Sequence, residues 1–244
     1  ITLDVGRLNP YAEEWFENLA ELQALLQRLK LRSVIETGAR YLLDPNRKHF
    51  PTLLCPEEEG REQRLSFLRT AIDTAEYLGS DCVSLWSGAL PEGMTEQAAY
   101  ARLAVDLEDL LKYASERAVT LGFEPEPGMF IDTMGSFAEL VEWVDAPNFK
   151  LTLDVGHLHC QGETPIAAYI DGWSTRIVNV HIEDMRSGVH EHLMFGEGEM
   201  DFPPILAALR DARYQGGLHV ELSRHSHDAP NAARQAMEFL KPLL

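Results

Sequence analysis

The chain has 244 residues, 45% hydrophobic and 25% charged, with a formal net charge of -18. That is a globular composition with enough apolar material for one sizeable core, and its acidity disfavours polyanionic partners such as nucleic acid. There is no run of about 18 apolar residues to form a membrane span and no basic-then-apolar secretory signal, and the three cysteines (Cys55, Cys82, Cys160) lack CxxC spacing, which fits a reducing cytoplasm.

In chain order, "ITLDV" reads as a first strand. Residues 11–30 then place Trp15, Leu19, Leu22, Leu26 and Leu29 along one helical face. "SVIETG" is the second strand, and it opens into a long loop, "ETGARYLLDPNRKHFPTL". Helical patterns follow at residues 62–78 and 96–117, with "CVSLWSG" as a strand between them. "TLGFEPE" is the next strand. A helix at 133–144 follows, with Asp132 as a candidate cap. "KLTLDVGH" and "IVNVHIED" are further strands; Asp201 precedes a helix at 203–212, "LHVELS" is the last strand, and residues 231–240 form a final helix.

About seven strands thus alternate with about seven helices. The strand runs are nearly continuous in Val, Ile and Leu, as parallel strands buried on both faces require. An open doubly wound sheet and a (β/α)8 TIM barrel both fit this α/β pattern. A barrel takes about 250 residues, and because the chain begins inside a strand, one strand is expected to be missing before Ile1. No linker or low-complexity segment divides residues 1–244, which are expected to form one domain.

The strand ends carry the chemistry. "GFEPEPG" ends on Glu124 and Glu126, "LTLDVGH" on Asp154 and His157, "VNVHIED" on His181, Glu183 and Asp184, and "LHVELSR" on Glu221. In a parallel barrel these ends share one mouth. Buried charges without partners are costly, and a shared divalent cation is the simplest way to satisfy several at once. Carboxylates with one imidazole suit Mn, Mg, Co or Zn.

The motifs "FEPEPG", "LDVGH", "VHIEDM", "HLMFGEGEMDF" and "VELS" resemble the xylose isomerase-like TIM barrels, in particular their sugar-phosphate isomerase/epimerase group. Endonuclease IV is a more distant member. The resemblance covers almost the whole chain. It implies an eight-stranded barrel with Glu124, Asp154, His181 and Glu221 as metal ligands and His157 facing the substrate. Glu124 and Glu221 would also exchange protons with the sugar carbon. Asp184 resembles an acid that orients a ligand or contacts substrate, and His192 a loop residue reaching the pocket.

Other residues are weaker candidates. Glu126 is either a substrate contact or a loop carboxylate. In the long loop, Glu36, Arg40, Lys48 and His49 could bind a sugar hydroxyl or phosphate, although Arg47 and Lys48 read more simply as solvated charges. Trp86 could stack on a sugar ring or simply fill the core. The "GEG" opens no helix directly after a strand, so it reads as a tight turn rather than a nucleotide fingerprint. His225 and His227 read as loop histidines. "ITLDVGRL" echoes "LTLDVGHL", with Arg7 in place of His157, as a duplicated half-barrel would leave.

The expected activity is therefore divalent-metal-dependent isomerisation or epimerisation of a small sugar or sugar phosphate, by proton transfer through a stabilised enediolate. The alternatives are an endonuclease IV-like phosphodiesterase, a related dehydratase or lyase, and a metal-binding barrel without turnover. The first would call for more histidines at the mouth than these strand ends supply. A homo-oligomer is compatible with the sequence.

Overall fold

The computed structural model describes residues 1–144 and 146–244. Six strands form one parallel sheet: β1 (Ile35–Glu36), β2 (Val83–Leu85), β3 (Leu121–Phe123), β4 (Phe149–Asp154), β5 (Ile177–Ile182) and β8 (Leu218–Val220). They lie in the order β1-β2-β3-β4-β5-β8. A separate antiparallel hairpin, β6 (Asp184–Arg186) and β7 (Val189–Leu193), stands between β5 and β8 in the chain.

The helices are α1 (Trp15–Leu29), α2 (Glu58–Leu78), α3 (Glu96–Ser115), α4 (Met134–Trp143), α5 (Val155–Cys160), α6 (Ile166–Trp173), α7 (Phe202–Asp211) and α8 (Ala229–Leu240). Six of them lie where the apolar periodicity predicts. The short α5 and α6 have no such signal over their few residues. None of the helices is long and apolar enough to cross a membrane.

The sheet is curled. In a flat sheet β1 and β5, four places apart, would stand about 19 Å from each other. Here Glu36 at the end of β1 accepts a hydrogen bond from the His181 ring on β5 at 3.0 Å. That contact excludes the open doubly wound sheet and leaves the barrel. Its edges are β8 and the N-terminal segment, where Thr2 makes one parallel bridge to Glu36. Among the described residues no ladder joins those two edges.

Two expectations need correction. "ITLDV" contributes only the Thr2 bridge, because the Asp4 carboxylate accepts the Gly6 N–H at 2.7 Å and turns the chain off the sheet. The cap of α4 is Thr133, not Asp132: Thr133 Oγ1 accepts the Ser136 N–H, and the Ser136 side chain returns the bond. Asp201 does stand at the start of α7, without a side-chain cap bond.

The core is aromatic around β3 and β4. Phe123, Phe137 and Phe149 are fully buried, with ring centroids 5.8–6.0 Å apart. This packing pins the carboxyl ends of β3 and β4, from which Glu124 and Asp154 emerge. All three cysteines are buried and free.

Candidate active site and metal centre

Glu124 follows directly on β3, Asp154 ends β4, His181 lies near the end of β5 and Glu221 follows β8. Asp154 and His181 are register partners on neighbouring strands. Glu124, Asp154 and His181 are buried, and the Glu221 side chain is 38% exposed at the open side of the mouth. One donor atom from each of these four residues lies within 4.8 Å of the others.

His181 is the centre of the cluster. Its Nδ1 is 2.9 Å from Glu124 Oε1, 3.1 Å from Glu221 Oε2 and 3.9 Å from Asp154 Oδ2. Its Nε2 is 3.0 Å from Glu36 Oε1, and the Asn179 amide sits 3.0 Å from the same ring atom. Burial alone would lower the His181 pKa, but the surrounding charges of Glu124 and Glu36 raise it well above its ordinary value. Nδ1 is thus directed at three carboxylates, which with the ring would hold a divalent cation. Asp154 Oδ2 is buried without a hydrogen-bond partner; an orphaned carboxylate oxygen facing an imidazole and two further carboxylates fits a hard or borderline cation.

Electrostatics divide the carboxylates. Burial, with the charges of Glu221 and Glu36, pushes Glu124 up to about 8. Glu126 and Glu183 are also pushed well up, by burial and then by neighbouring carboxylates. Asp154 is held low against burial by the charges of His157 and His181, and Glu221 is held low by the His181 ring.

His157 lies in the first turn of α5. Its N–H caps onto Asp154 Oδ1 at 2.9 Å, which explains the three-residue spacing of "DVGH". Its ring Nδ1 donates to the Pro125 carbonyl at 3.1 Å, leaving Nε2 to face the mouth. There Nε2 meets Asp154 Oδ2 at 3.4 Å, Glu126 Oε2 at 3.7 Å and His190 Nε2 at 3.1 Å. Glu126 is thus on the site side of its segment.

Asp184 sits differently from a substrate contact. It is buried, and its oxygens accept the backbone N–H groups of Met185, Gly196, Gly198 and Met200 at 2.8–3.1 Å. These bonds use the carboxylate to hold the "FGEGEM" loop. A Cβ on Gly198 would lie 2.2 Å from Asp184 Oδ1, so that close approach needs glycine. His192 reaches inward from β7, its Nδ1 3.9 Å from Glu183 Oε2.

Glu36 reaches the cluster through His181, whereas Arg40 and Lys48 are exposed. Trp86 is buried, edge-on to the His49 ring at 5.8 Å. Its other neighbour is the fully buried Arg64 guanidinium, 4.9 Å from the ring centroid, which sequence reading did not single out. His225 and His227 lie on the turn Ser223–Asp228, outside the groups of metal-type donors found among the described residues. Arg7 pairs with Glu21 on the surface.

Sequence reading also missed His190. The β6–β7 hairpin lifts "VHEHL" over the mouth, so four histidines gather there (His157, His181, His190, His192) where the strand ends alone supply fewer. The available signals were the Ser187-Gly188 turn and the period-two spacing of His190 and His192.

A curled parallel α/β sheet with carboxylates and imidazoles converging at its C-terminal mouth defines a barrel of the enzyme-bearing kind. The chain belongs to the xylose isomerase-like TIM barrel family, whose model matches residues 2–243. It is 27% identical over 246 residues to an L-ribulose-5-phosphate 3-epimerase, UlaE, of Escherichia coli, covering 98% of this chain and 86% of that one. It is 26% identical over 193 residues to the uncharacterized protein MJ1311 of Methanocaldococcus jannaschii, covering 75% of this chain and 64% of that protein. Among solved structures, a D-tagatose 3-epimerase-like protein matches 99% of this chain and 88% of its own, at TM-score 0.79 and 21% identity. A zinc-bound IOLI protein matches 100% and 87%, at TM-score 0.74 and 18% identity. At these identities the structural likeness establishes the fold.

Proposed function

We propose that this chain is a divalent-metal-dependent epimerase or isomerase of a small sugar or sugar phosphate. The observation that carries this reading is the approach of two carboxylates, Glu124 from β3 and Glu221 from beyond β8, to the same His181 Nδ1. The similarity to UlaE and to a D-tagatose 3-epimerase-like protein supports it.

Glu124, Asp154, His181 and Glu221 would hold the cation, which when bound would polarise a carbonyl and its neighbouring hydroxyl and so acidify the adjacent C–H. Glu221, the carboxylate held ionised, removes that proton. Glu124 returns one. Transfer on one face gives isomerisation, and transfer on both gives epimerisation. His157 Nε2 and Glu126 orient the sugar hydroxyls.

The test is solvent-deuterium incorporation into ketoses and ketose phosphates by wild type, Glu124→Gln and Glu221→Gln, with metal content measured on each sample. Each variant that still holds metal should lose turnover by about 10²-fold or more. Normal turnover in Glu221→Gln would remove its proton-transfer role.

A further inference from the structure

We infer that Arg64 is a positioning residue: from the helix layer behind the sheet it holds the carboxyl end of β1, and with it the Glu36 carboxylate that faces His181. Arg64 is fully buried in the second turn of α2. Its Nη2 donates to the Thr37 carbonyl at 2.7 Å, one residue beyond Glu36. Its guanidinium carbon lies 4.9 Å from the Trp86 ring centroid and 5.4 Å from that of Phe67. Trp86 follows the last residue of β2, so one side chain engages the ends of both strands.

The short β1 needs such a hold. It is two residues long, pairs with β2 only through Ile35↔Val83 and Glu36↔Ser84, and meets the N-terminal segment at the Thr2 bridge. Fold stability does not account for an arginine here. Its Nε and Nη1 have no hydrogen-bond partner, and no carboxylate pairs with it among the described residues. Burial pulls the guanidinium down to about 10, so it stays charged at neutral pH. A buried charge without an acid partner is costly, and even paired buried charges can often be replaced by apolar residues without loss of stability. What arginine supplies and an apolar residue cannot is a donor for the Thr37 carbonyl together with a planar cation against Trp86.

The route from Arg64 to the site is short. Thr37 Oγ1 donates to the Ser84 carbonyl at 2.7 Å, which ties β1 to β2 at the last rung of their ladder. Glu36 Oε1 then meets His181 Nε2 at 3.0 Å. Releasing Thr37 would let Glu36 draw away from the ring, and Nδ1 would lose its aim at Glu124, Asp154 and Glu221. The inference rests on the proposed cation centre only for what His181 is aimed at; the hold on Glu36 is a property of the chain itself.

The experiment follows the His181 ring N–H by NMR in the chelator-stripped full chain, assigned by its absence in His181→Gln. Wild type should show an Nε2–H that exchanges slowly with water. Arg64→Met should speed that exchange about 10-fold or more while Tm stays within about 4 °C of wild type. Arg64→Lys, which keeps a charged donor, should restore most of the protection. In a Glu36→Ala background Arg64→Met should add nothing further. Thr37→Val, which leaves the guanidinium in place, should speed exchange to a lesser degree and serves if Arg64→Met does not fold. Exchange at the wild-type rate in Arg64→Met, or in Thr37→Val where only that variant folds, overturns the inference. So does an acceleration shared by every slow backbone amide of the sheet, which would mark general loosening. Co²⁺ affinity on the same samples separates this inference from the catalytic one. Wild type that takes up no cation yet shows the expected exchange pattern would sink the cation centre and uphold the role of Arg64; cation binding with exchange indifferent to Arg64 would do the reverse.

Discussion

Glu36 Oε1 lies 3.0 Å from His181 Nε2, across the barrel and 145 residues away in the chain. The contact fixes which ring nitrogen faces which way. Nε2–H is committed to Glu36, so Nδ1 is the atom presented to Glu124, Asp154 and Glu221. It is a carboxylate-imidazole relay of the kind that orients metal ligands from behind. The loop reading of Glu36 as a sugar contact becomes, on this geometry, a role in aiming His181.

Glu36→Gln should therefore weaken divalent-cation binding by about 10- to 100-fold without abolishing it. Competition against a chromogenic chelator measures the change. Unchanged affinity would show that Asn179 alone orients the ring.

The metal-free protein should lose stability as pH rises. Glu124, pushed up to about 8, holds a proton in the folded state that it sheds near 4.5 when unfolded. His181, Glu126 and Glu183 are raised as well. Groups with raised pKa stabilise the fold at low pH and lose that contribution as pH climbs through the folded value. Asp154 and Glu221 act in the opposite sense, but their loss falls in acid, below the ordinary carboxylate range. The imidazoles of His49, His157, His190 and His219, held low by burial, also act in the opposite sense, and their contribution is complete above the ordinary histidine value of about 6.5. Between about pH 7 and 8.5 the Tm of chelator-stripped protein should fall, and a divalent cation should raise it most at the alkaline end, where binding releases fewer protons. A Tm that climbs with pH in stripped protein would contradict this.

Asp184→Asn should destabilise the chain by about 2 kcal/mol or more, because the new amide N–H₂ faces backbone donors it cannot accept from. The "FGEGEM" loop should become the first site of limited proteolysis. A variant with wild-type stability but altered KM would instead return Asp184 to the substrate.

The four strand-end donors were legible because a parallel strand carries its apolar run to one end and delivers its next residue to a common mouth. Glu124, Asp154, His181 and Glu221 all follow that rule. The pairing of Glu36 with His181 was not legible, since only the curl of the sheet brings β1 to β5. His190 was hidden for another reason: β7 is a polar, half-exposed strand, and its residues carry no apolar alternation to mark it. The role of Asp184 was ambiguous in principle. A strand-end acid reads the same whether it faces a cavity or a ring of backbone N–H groups.

The measurement that bears most directly on the central claim combines metal content with solvent-deuterium exchange into a panel of ketoses and ketose phosphates. The expected result is bound divalent cation, lost on chelation together with exchange, and deuterium entering one C–H position of a single substrate class. Protein that takes up no divalent cation, either as purified or after reconstitution, would contradict the four-donor centre and the function proposed for it.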